Sequence, residues 1–567
     1  MKPTESTNVG HTQVLLPLLL SLGAFLAICL PAKDLPILGD GALHAHIVRE
    51  ITEKGSVDIQ TEVAYPLFYH LFGAQVYLLW GEVGLRVLSA GMVAFAGLLA
   101  YLIARELTRS QFIGVICILL IGLSSKVIFY GVQVLMEPFM VAFILLAVYA
   151  ALLLYRQRNL KCLVFAAFAV AMAISTKQQA LFLLLAIPAF LLASGLGVRR
   201  VAVLVGVVLL FASGPYAYVL SSTGVVSGRG PSAGSIYQPF PDSEDIRVAE
   251  QGGTLEQVLA RSSREDIPEW ALQLEEESNG LELYRRGTAP HEARHIYIWE
   301  MINPVKFVEL NSLQQFESAP LGLSGAPRAL FLGGYVVLQG LLICGFLISL
   351  MYAVRRKRWR IVPIVVFTSW LFTFWGSDTE RYFIYLPFLL AFTYGLVLKL
   401  LADRLRPRRS RAALAALALL ALLLMSYMAP AAVDTERSAQ RLEMTQCYAP
   451  SVGGIASIEE VASWIEQHTD KGDRVFGTSI YEWTFYSNRE VLWDYRVYFL
   501  SQERVDHYLH LWGVEYVLVR SNQIVPDEEW NHIEMYPASF CEKIADAYPL
   551  VYTSVQEDIE VYQVTDV

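Results

Sequence analysis

The chain has 567 residues, of which 55% are hydrophobic and 17% are charged, and its formal net charge is −9. Its mean hydropathy is positive. So apolar a composition does not fit a purely soluble protein, and it makes the lipid bilayer the main solvent of the chain. The acidic balance argues against a nucleic-acid partner, since contact with phosphate backbones requires an excess of positive charge.

Long apolar runs recur through the first three quarters of the chain. Because several approach the roughly 20 residues that cross a bilayer, we predict about eleven transmembrane helices. They lie near residues 13–31, 84–104, 111–125, 137–155, 161–175, 179–195, 200–220, 328–353, 361–376, 382–402 and 411–430. The first run lacks a small-residue cleavage site, so we expect it to remain as an anchor.

The apolar stretch from Pro66 to Trp80 decides the topology, because counting it as a crossing reverses the side of everything that follows. If it does not cross and the N-terminus is cytoplasmic, the basic clusters between the spans all lie on the cytoplasmic side, as the positive-inside rule requires. We therefore predict a helix at the outer interface here. The protein is then expected to be a multi-pass plasma-membrane protein whose long loops and C-terminal tail are external.

We predict a membrane domain, residues 1–430, and an external C-terminal domain, residues 431–567. The membrane domain contains a first external loop with interfacial helices, 31–83, and a large external loop, 221–327. In the tail, helix-like and strand-like stretches alternate, which predicts a small α/β domain. The predicted helices are 458–468 and 503–511, and the predicted strands are 474–477, 491–495, 516–520, 550–554 and 559–564.

Six cysteines are spread along the chain without metal-ligand spacing. Four lie in apolar runs, where a thiol behaves as a small hydrophobic group. Cys447 and Cys541 lie in the polar tail and can form a disulfide if that part faces an oxidising compartment. The sequence leaves this bridge open.

Two acidic residues stand at predicted external helix ends. Asp40 lies at the start of a helix in the first external loop, where an aspartate usually serves only as an N-cap. Glu137 begins the fourth apolar run, where a first-turn glutamate commonly suits the helix dipole. Two carboxylates at the same face of the membrane are nevertheless a more specific pattern than either residue alone.

Two basic residues lie at comparable depth, Lys177 and Arg381. Each alone is more often a snorkelling side chain, but with the two acids they suit recognition of a phosphate beside a proton acceptor. His44, Tyr65 and Glu380 are accessory candidates. His44 and His46 are two residues apart, a spacing that does not place them on one helix face, so a metal site there is not expected.

These motifs, in this order, resemble the GT-C membrane glycosyltransferases, especially the branch of the protein O-mannosyltransferases and the lipid A aminoarabinose transferase. The segments that carry the resemblance are Gly39-Asp40, Tyr65-Pro66-Leu67, Gly84 to Ser89, Met136-Glu137-Pro138, Lys177-Gln178, Arg381-Tyr382 and Leu386-Pro387. Each is weak alone, but together they run in sequence order over roughly the first 400 residues.

The resemblance implies a polytopic α-helical GT-C-like fold and transfer of a monosaccharide, with inversion, from a polyprenyl-phosphate or dolichyl-phosphate donor. The acceptor would be a hydroxyl group of a lipid, glycan or protein, as in glycosylation of the cell envelope. Asp40 would be the general base, and Glu137, Lys177 and Arg381 would arrange the donor. No metal is required for this role, although a divalent cation is left open.

The chain also departs from these relatives. Members of the aminoarabinose branch carry Lys-Pro-Pro where this sequence has Ala64-Tyr65-Pro66, and the second acid here is Glu137 rather than an aspartate. A lysine expected near the donor phosphate is therefore missing, which leaves the sugar and the acceptor open. The first loop has no DxD-type carboxylate pair, which disfavours a metal-dependent oligosaccharyltransferase.

Two further functions remain as alternatives. Carboxylates in membrane proteins often mark transport pathways, so a polytopic transporter or flippase is the main competitor. It fits less well, because transporters place their polar sites near the midplane between repeated halves. The other alternative is a sensor whose tail binds carbohydrate through Tyr481, Trp483, Trp493 and Tyr495, although such aromatics are more often core residues.

Overall fold

The computed structural model describes residues 17–23, 40–55, 67–122, 133–223 and 452–565, together with positions 26, 37, 127, 131 and 399. The last range has gaps at 471, 479, 493–496, 499, 512, 528–535 and 556–558. These residues belong to two compact units. The membrane unit contains 67–219, and the second unit combines residues 37–55 with the C-terminal part from 452 onward.

The membrane unit consists of helices that follow the apolar runs closely. They are α2 (Phe68–Thr108), α3 (Gln111–Gly122), α4 (Met136–Gln157), α5 (Leu160–Thr176), α6 (Leu183–Ala193) and α7 (Val198–Thr223). Among the described residues, three helices, α2, α4 and α7, are long and apolar enough to cross a membrane, and α5 and α6 are shorter apolar helices. These bounds agree with the predicted spans from 84 to 220, whereas the four predicted between 328 and 430 lie outside the described residues, apart from position 399.

Helix α2 is interrupted at Gly81, whose backbone is not helical (φ 59°, ψ −148°). A positive φ is cheap only for glycine, so this residue allows the chain to change direction between two helical segments. The interruption falls where the sequence predicts the interfacial helix to end and the next span to begin.

Helices α4 and α5 form an antiparallel hairpin with extensive mutual contact. Many of the buried residues in the hairpin are alanines with no exposed surface, which allows the two backbones to approach closely. They are Ala142, Ala147, Ala150, Ala151, Ala166, Ala167, Ala169, Ala171 and Ala173. Helix α5 begins with an N-cap, since the Asn159 side chain accepts a hydrogen bond of 2.8 Å from the Cys162 amide.

The second unit contains helix α1 (Asp40–Lys54) and the C-terminal α/β fold. Its further helices are α8 (Val452–His468), α9 (Ile480–Ser487), α10 (Gln502–Leu511) and α11 (Ala538–Ala547). Its strands are β1 (Arg474–Phe476), β2 (Glu490–Leu492), β3 (Val514–Arg520), β4 (Ile524–Val525), β5 (Tyr536–Pro537), β6 (Leu550–Thr553) and β7 (Ile559–Gln563).

A five-stranded mixed sheet in the order β2-β1-β3-β7-β6 organises this fold. Strand β1 is parallel to β2 and β3, whereas β7 is antiparallel to β3 and β6. Successive residues of β3 point to opposite faces: Val517 packs against α10 and α11, and Leu518 packs against α8. Helices therefore cover both faces of the sheet.

Helices α8 and α10 and strands β1, β2, β3, β6 and β7 coincide with the predicted stretches to within a few residues. Helices α9 and α11 were not predicted from the sequence. Trp483, one of the aromatics considered for carbohydrate binding, is completely buried in the core of this fold. Cys541 is a free thiol, and Cys447 lies outside the described residues.

Candidate active site

Glu137 and Lys177 meet at one end of the α4–α5 hairpin. Glu137 is the second residue of α4, and Lys177 directly follows the last residue of α5. The Lys177 Nζ lies 2.6 Å from the Glu137 Oε1, and the two side chains are only 7% and 1% exposed. The structure therefore brings together two of the residues that the sequence singled out and buries them as an ion pair.

Local structure explains why each charge is tolerated at its position. The Glu137 carboxylate lies at the positive end of one helix dipole, and the Lys177 ammonium lies at the negative end of the other. Removing both charges from water is nevertheless costly, and a buried ion pair recovers that cost only with good geometry. Burial of the pair is therefore weak evidence that it is present for stability.

Aromatic residues enclose the Glu137 end of the hairpin. Tyr69, from the start of α2, is completely buried and contacts Phe139 with ring centres 5.5 Å apart. On the Lys177 side, the Tyr216 hydroxyl of α7 donates a 3.0 Å hydrogen bond to the Ile174 carbonyl, in the last turn of α5. Four helices thus converge on the end of the hairpin that carries the pair.

Asp40 is the first residue of helix α1, in the second unit. Its place at the helix start agrees with the sequence analysis. Residues 41–45, 47 and 48 of this helix are all buried, including His44, which is 1% exposed. Helix α1 is therefore held within the fold and is not a solvated loop segment.

His46 lies one turn along α1 from Glu50 and from Arg49. Burial lowers the pKa of His46 to about 3, and the positive charges of Arg49 and Lys54 act in the same direction. The imidazole is therefore neutral at neutral pH. The neutral ring fits its surroundings, since the Arg49 Nη2 lies 3.4 Å from the His46 Nδ1.

Three candidates, Tyr65, Glu380 and Arg381, lie outside the described residues. Within the described residues, no group of three His, Cys, Asp or Glu side chains could hold a metal ion. Arg49, whose side chain joins α1 to α9, was not singled out from the sequence. The only signal in the sequence was an arginine within an amphipathic helix, which a snorkelling side chain explains equally well.

Comparison with known proteins identifies the fold. Residues 65–213 match the family model described as dolichyl-phosphate-mannose-protein mannosyltransferase. The crystal structure of ArnT from Cupriavidus metallidurans bound to undecaprenyl phosphate has 13% sequence identity and a TM-score of 0.53, with 99% of each chain covered. The apo structure of the same protein gives 14% identity and a TM-score of 0.52, with 96% of this chain and 97% of that one covered.

A weaker likeness is to the S. cerevisiae protein O-mannosyltransferase Pmt1-Pmt2 complex bound to the sugar donor. It has 16% identity and a TM-score of 0.29, with 40% of this chain and 36% of that one covered. No curated protein sequence matches the chain. The resemblance to the O-mannosyltransferase and ArnT branch of the GT-C glycosyltransferases is thus confirmed, and the chain has the fold of a multi-pass membrane protein.

Proposed function

We propose that the protein is an integral-membrane glycosyltransferase that moves one sugar from a polyprenyl-phosphate or dolichyl-phosphate carrier to a hydroxyl group on the external face of the membrane. The observation that carries this proposal is the match of residues 65–213 to the O-mannosyltransferase family, because that segment contains both Glu137 and Lys177. The Cupriavidus protein that shares the fold binds undecaprenyl phosphate, which supports a polyprenyl carrier. The family match also favours a transferase over a transporter.

In the proposed reaction, the Asp40 carboxylate removes the proton from the acceptor hydroxyl. The acceptor oxygen then bonds to the anomeric carbon as the bond from that carbon to the phosphate oxygen breaks, with inversion. The carrier phosphate leaves with the electron pair and gains negative charge. A cation aimed at this charge lowers the barrier, and Lys177 and Arg381 are assigned that role.

The Glu137–Lys177 contact suits a donor-binding function. An ammonium ion has three N–H donors, so it can serve a carboxylate and a phosphate oxygen at the same time. The contact with Glu137 orders the Lys177 side chain before the donor binds. Donor binding therefore does not have to supply the entropic cost of ordering that long side chain. Glu137 is therefore proposed to position the cation that contacts the phosphate.

The test is sugar transfer by the purified full-length protein in liposomes, with radiolabelled polyprenyl-phosphate sugars and an envelope membrane fraction as the acceptor source. The variants are Asp40→Asn, Lys177→Met and, as a matched control, Asp546→Asn, which removes an exposed carboxylate from α11. EDTA is added to half of the reactions. We expect Asp40→Asn to lose transfer at least 100-fold, as removal of a general base does, with donor binding retained.

Lys177→Met is expected to weaken binding of undecaprenyl phosphate itself, measured without any acceptor. Asp546→Asn should transfer at the wild-type rate. Equal transfer by wild type and Asp40→Asn would remove Asp40 as the base. Donor binding without transfer to any acceptor fraction would favour the transporter.

A further inference from the structure

Arg49 of helix α1 joins this helix to α9 of the C-terminal fold. Its Nη1 donates a 2.7 Å hydrogen bond to the Phe485 carbonyl, and its Nη2 donates a 3.2 Å hydrogen bond to the Thr484 carbonyl. The guanidinium carbon also lies 5.3 Å from the centre of the Phe485 ring. One side chain thus makes three contacts with a single helix end.

The C-terminal end of α9 presents backbone carbonyl groups that suit an arginine side chain. Thr484 and Phe485 lie in the last turn of α9, where the carbonyl groups have no hydrogen-bond donor within the helix. The same turn is the negative end of the helix dipole and attracts a cation. A planar guanidinium can satisfy two carbonyls at once, whereas a lysine ammonium cannot reproduce that fork.

A second contact lies on the other side of Asp40. The Tyr486 hydroxyl, also in the last turn of α9, accepts a hydrogen bond of 3.1 Å from the Ile37 amide and donates one of 3.2 Å to the Ile37 carbonyl. Ile37 precedes Asp40 by three residues, and Arg49 follows it by nine. The end of α9 therefore holds the chain on both sides of Asp40.

We propose that Arg49 is a positioning residue that acts through helix α1 on Asp40, and that the C-terminal fold is consequently part of the catalytic apparatus. This inference rests on the proposed role of Asp40 as the base. In this arrangement the C-terminal fold sets where α1 begins and how far its first turn can move. A general base displaced by about 1 Å loses on the order of 100-fold in rate, so the contact bears directly on turnover.

The experiment compares Arg49→Ala, Arg49→Lys and Tyr486→Phe with the matched control Arg474→Ala, all in the full-length protein in liposomes. Arg474 belongs to the same unit and pairs with Glu490 of the neighbouring strand β2. The rate of transfer is divided by the concentration of donor-binding sites, so that unfolded protein does not lower the measured kcat. We expect Arg49→Ala to lower kcat roughly 10- to 100-fold with the donor KM within about twofold, since Arg49 is assigned no contact with the donor.

Arg49→Lys should recover part of the loss, Tyr486→Phe should lose less than Arg49→Ala, and Arg474→Ala should match the wild type. The decisive comparison is Arg49→Ala in the Asp40→Asn background. If Arg49 acts through Asp40, the double variant is no slower than Asp40→Asn alone. A further loss of the same size in that background would overturn the proposal, because it would show a merely structural role.

Hydrogen exchange of the peptide 40–54 provides a readout that needs no activity. We expect faster exchange in Arg49→Ala than in the wild type, with exchange in α10 unchanged. If the wild-type protein transfers no sugar but exchange is faster in Arg49→Ala, the proposed function is contradicted. The result would still show that Arg49 restrains helix α1. Normal kcat or unchanged exchange in Arg49→Ala would overturn the positioning role and leave the proposed function intact.

Discussion

A buried ion pair in the membrane unit differs from two arginine contacts in the second unit in the kind of partner that each cation has. In the membrane unit the Lys177 ammonium contacts the Glu137 carboxylate, so each charge depends on the other. In the second unit two arginines, Arg49 and Arg489, contact backbone carbonyls at helix ends instead. Loss of one partner leaves a buried charge in the first case and only neutral carbonyls in the second, so the two units should respond differently to the same kind of substitution.

The largest effect is expected from breaking the ion pair. Lys177→Met leaves the Glu137 carboxylate buried without its cation, which should cost about 3–5 kcal/mol of unfolding free energy. The double variant Glu137→Gln with Lys177→Met should cost clearly less, because no uncompensated charge remains. Thermal or denaturant unfolding of the purified protein in one detergent measures both. If the double variant is as unstable as Lys177→Met alone, the loss of stability does not come from an uncompensated Glu137 carboxylate.

A smaller effect is expected from Arg489 in the C-terminal fold. Its guanidinium donates to the carbonyls of Glu466 and Thr469, at 2.9 and 2.6 Å, at the end of α8 and just beyond it. Arg489→Met should lower the unfolding free energy by about 2–3 kcal/mol, since the carbonyls lose a charged donor. If Arg489→Met lowers the unfolding free energy as much as Lys177→Met does, the expected difference between the two kinds of contact is contradicted.

Acid should loosen helix α1 through His46. The folded-state pKa of about 3 lies below the usual value of 6.5, so the neutral ring stabilises the fold above about pH 6.5. This contribution is lost as the pH falls from 6.5 towards 3, because a protonated ring is buried and meets the charges of Arg49 and Lys54. Glu50, 3.9 Å from the His46 Nε2, opposes the effect only in part, since it also contacts Lys54 at 2.6 Å.

Protection factors for the amides of 40–54, measured between pH 7 and pH 4, follow this change. We expect them to fall in the wild type and to stay nearly constant in His46→Gln. Equal pH dependence in both proteins would assign the acid sensitivity to other groups. The amides of α8 serve as an internal control, because this helix contains no part of the α1 contact.

The smallest effect is expected from the ion pair between Arg474 and Glu490, which joins neighbouring strands with the Arg474 Nε 2.7 Å from the Glu490 Oε2. The two side chains are 35% and 39% exposed, so water and salt screen the interaction. Glu490→Gln should change the unfolding free energy by about 0–1 kcal/mol, and less at high salt. A larger change would show that solvent exposure does not determine how much each of these contacts contributes to the unfolding free energy.

Local sequence signals account well for the helices and strands that the structure describes. Hydrophobic runs place the helices between 68 and 223, and alternation places the main strands of the C-terminal fold. Helix α9 was missed because its sequence, Ile-Tyr-Glu-Trp-Thr-Phe-Tyr-Ser, is rich in aromatic residues that favour strands. Burial of Trp483 against the sheet overrides that preference.

By itself, the sequence determined that this is a membrane protein, where the described helices between 68 and 223 begin and end to within a few residues, and that Asp40, Glu137 and Lys177 stand at helix termini. These features follow from hydrophobic runs and helix-end chemistry, which act over a few neighbouring residues. Only the tertiary structure decided that Lys177 pairs with Glu137, 40 positions away, and that Arg49 binds the end of α9, more than 430 positions away. Such contacts depend on how distant segments pack, and no local pattern encodes which carbonyl or carboxylate a given cation will meet.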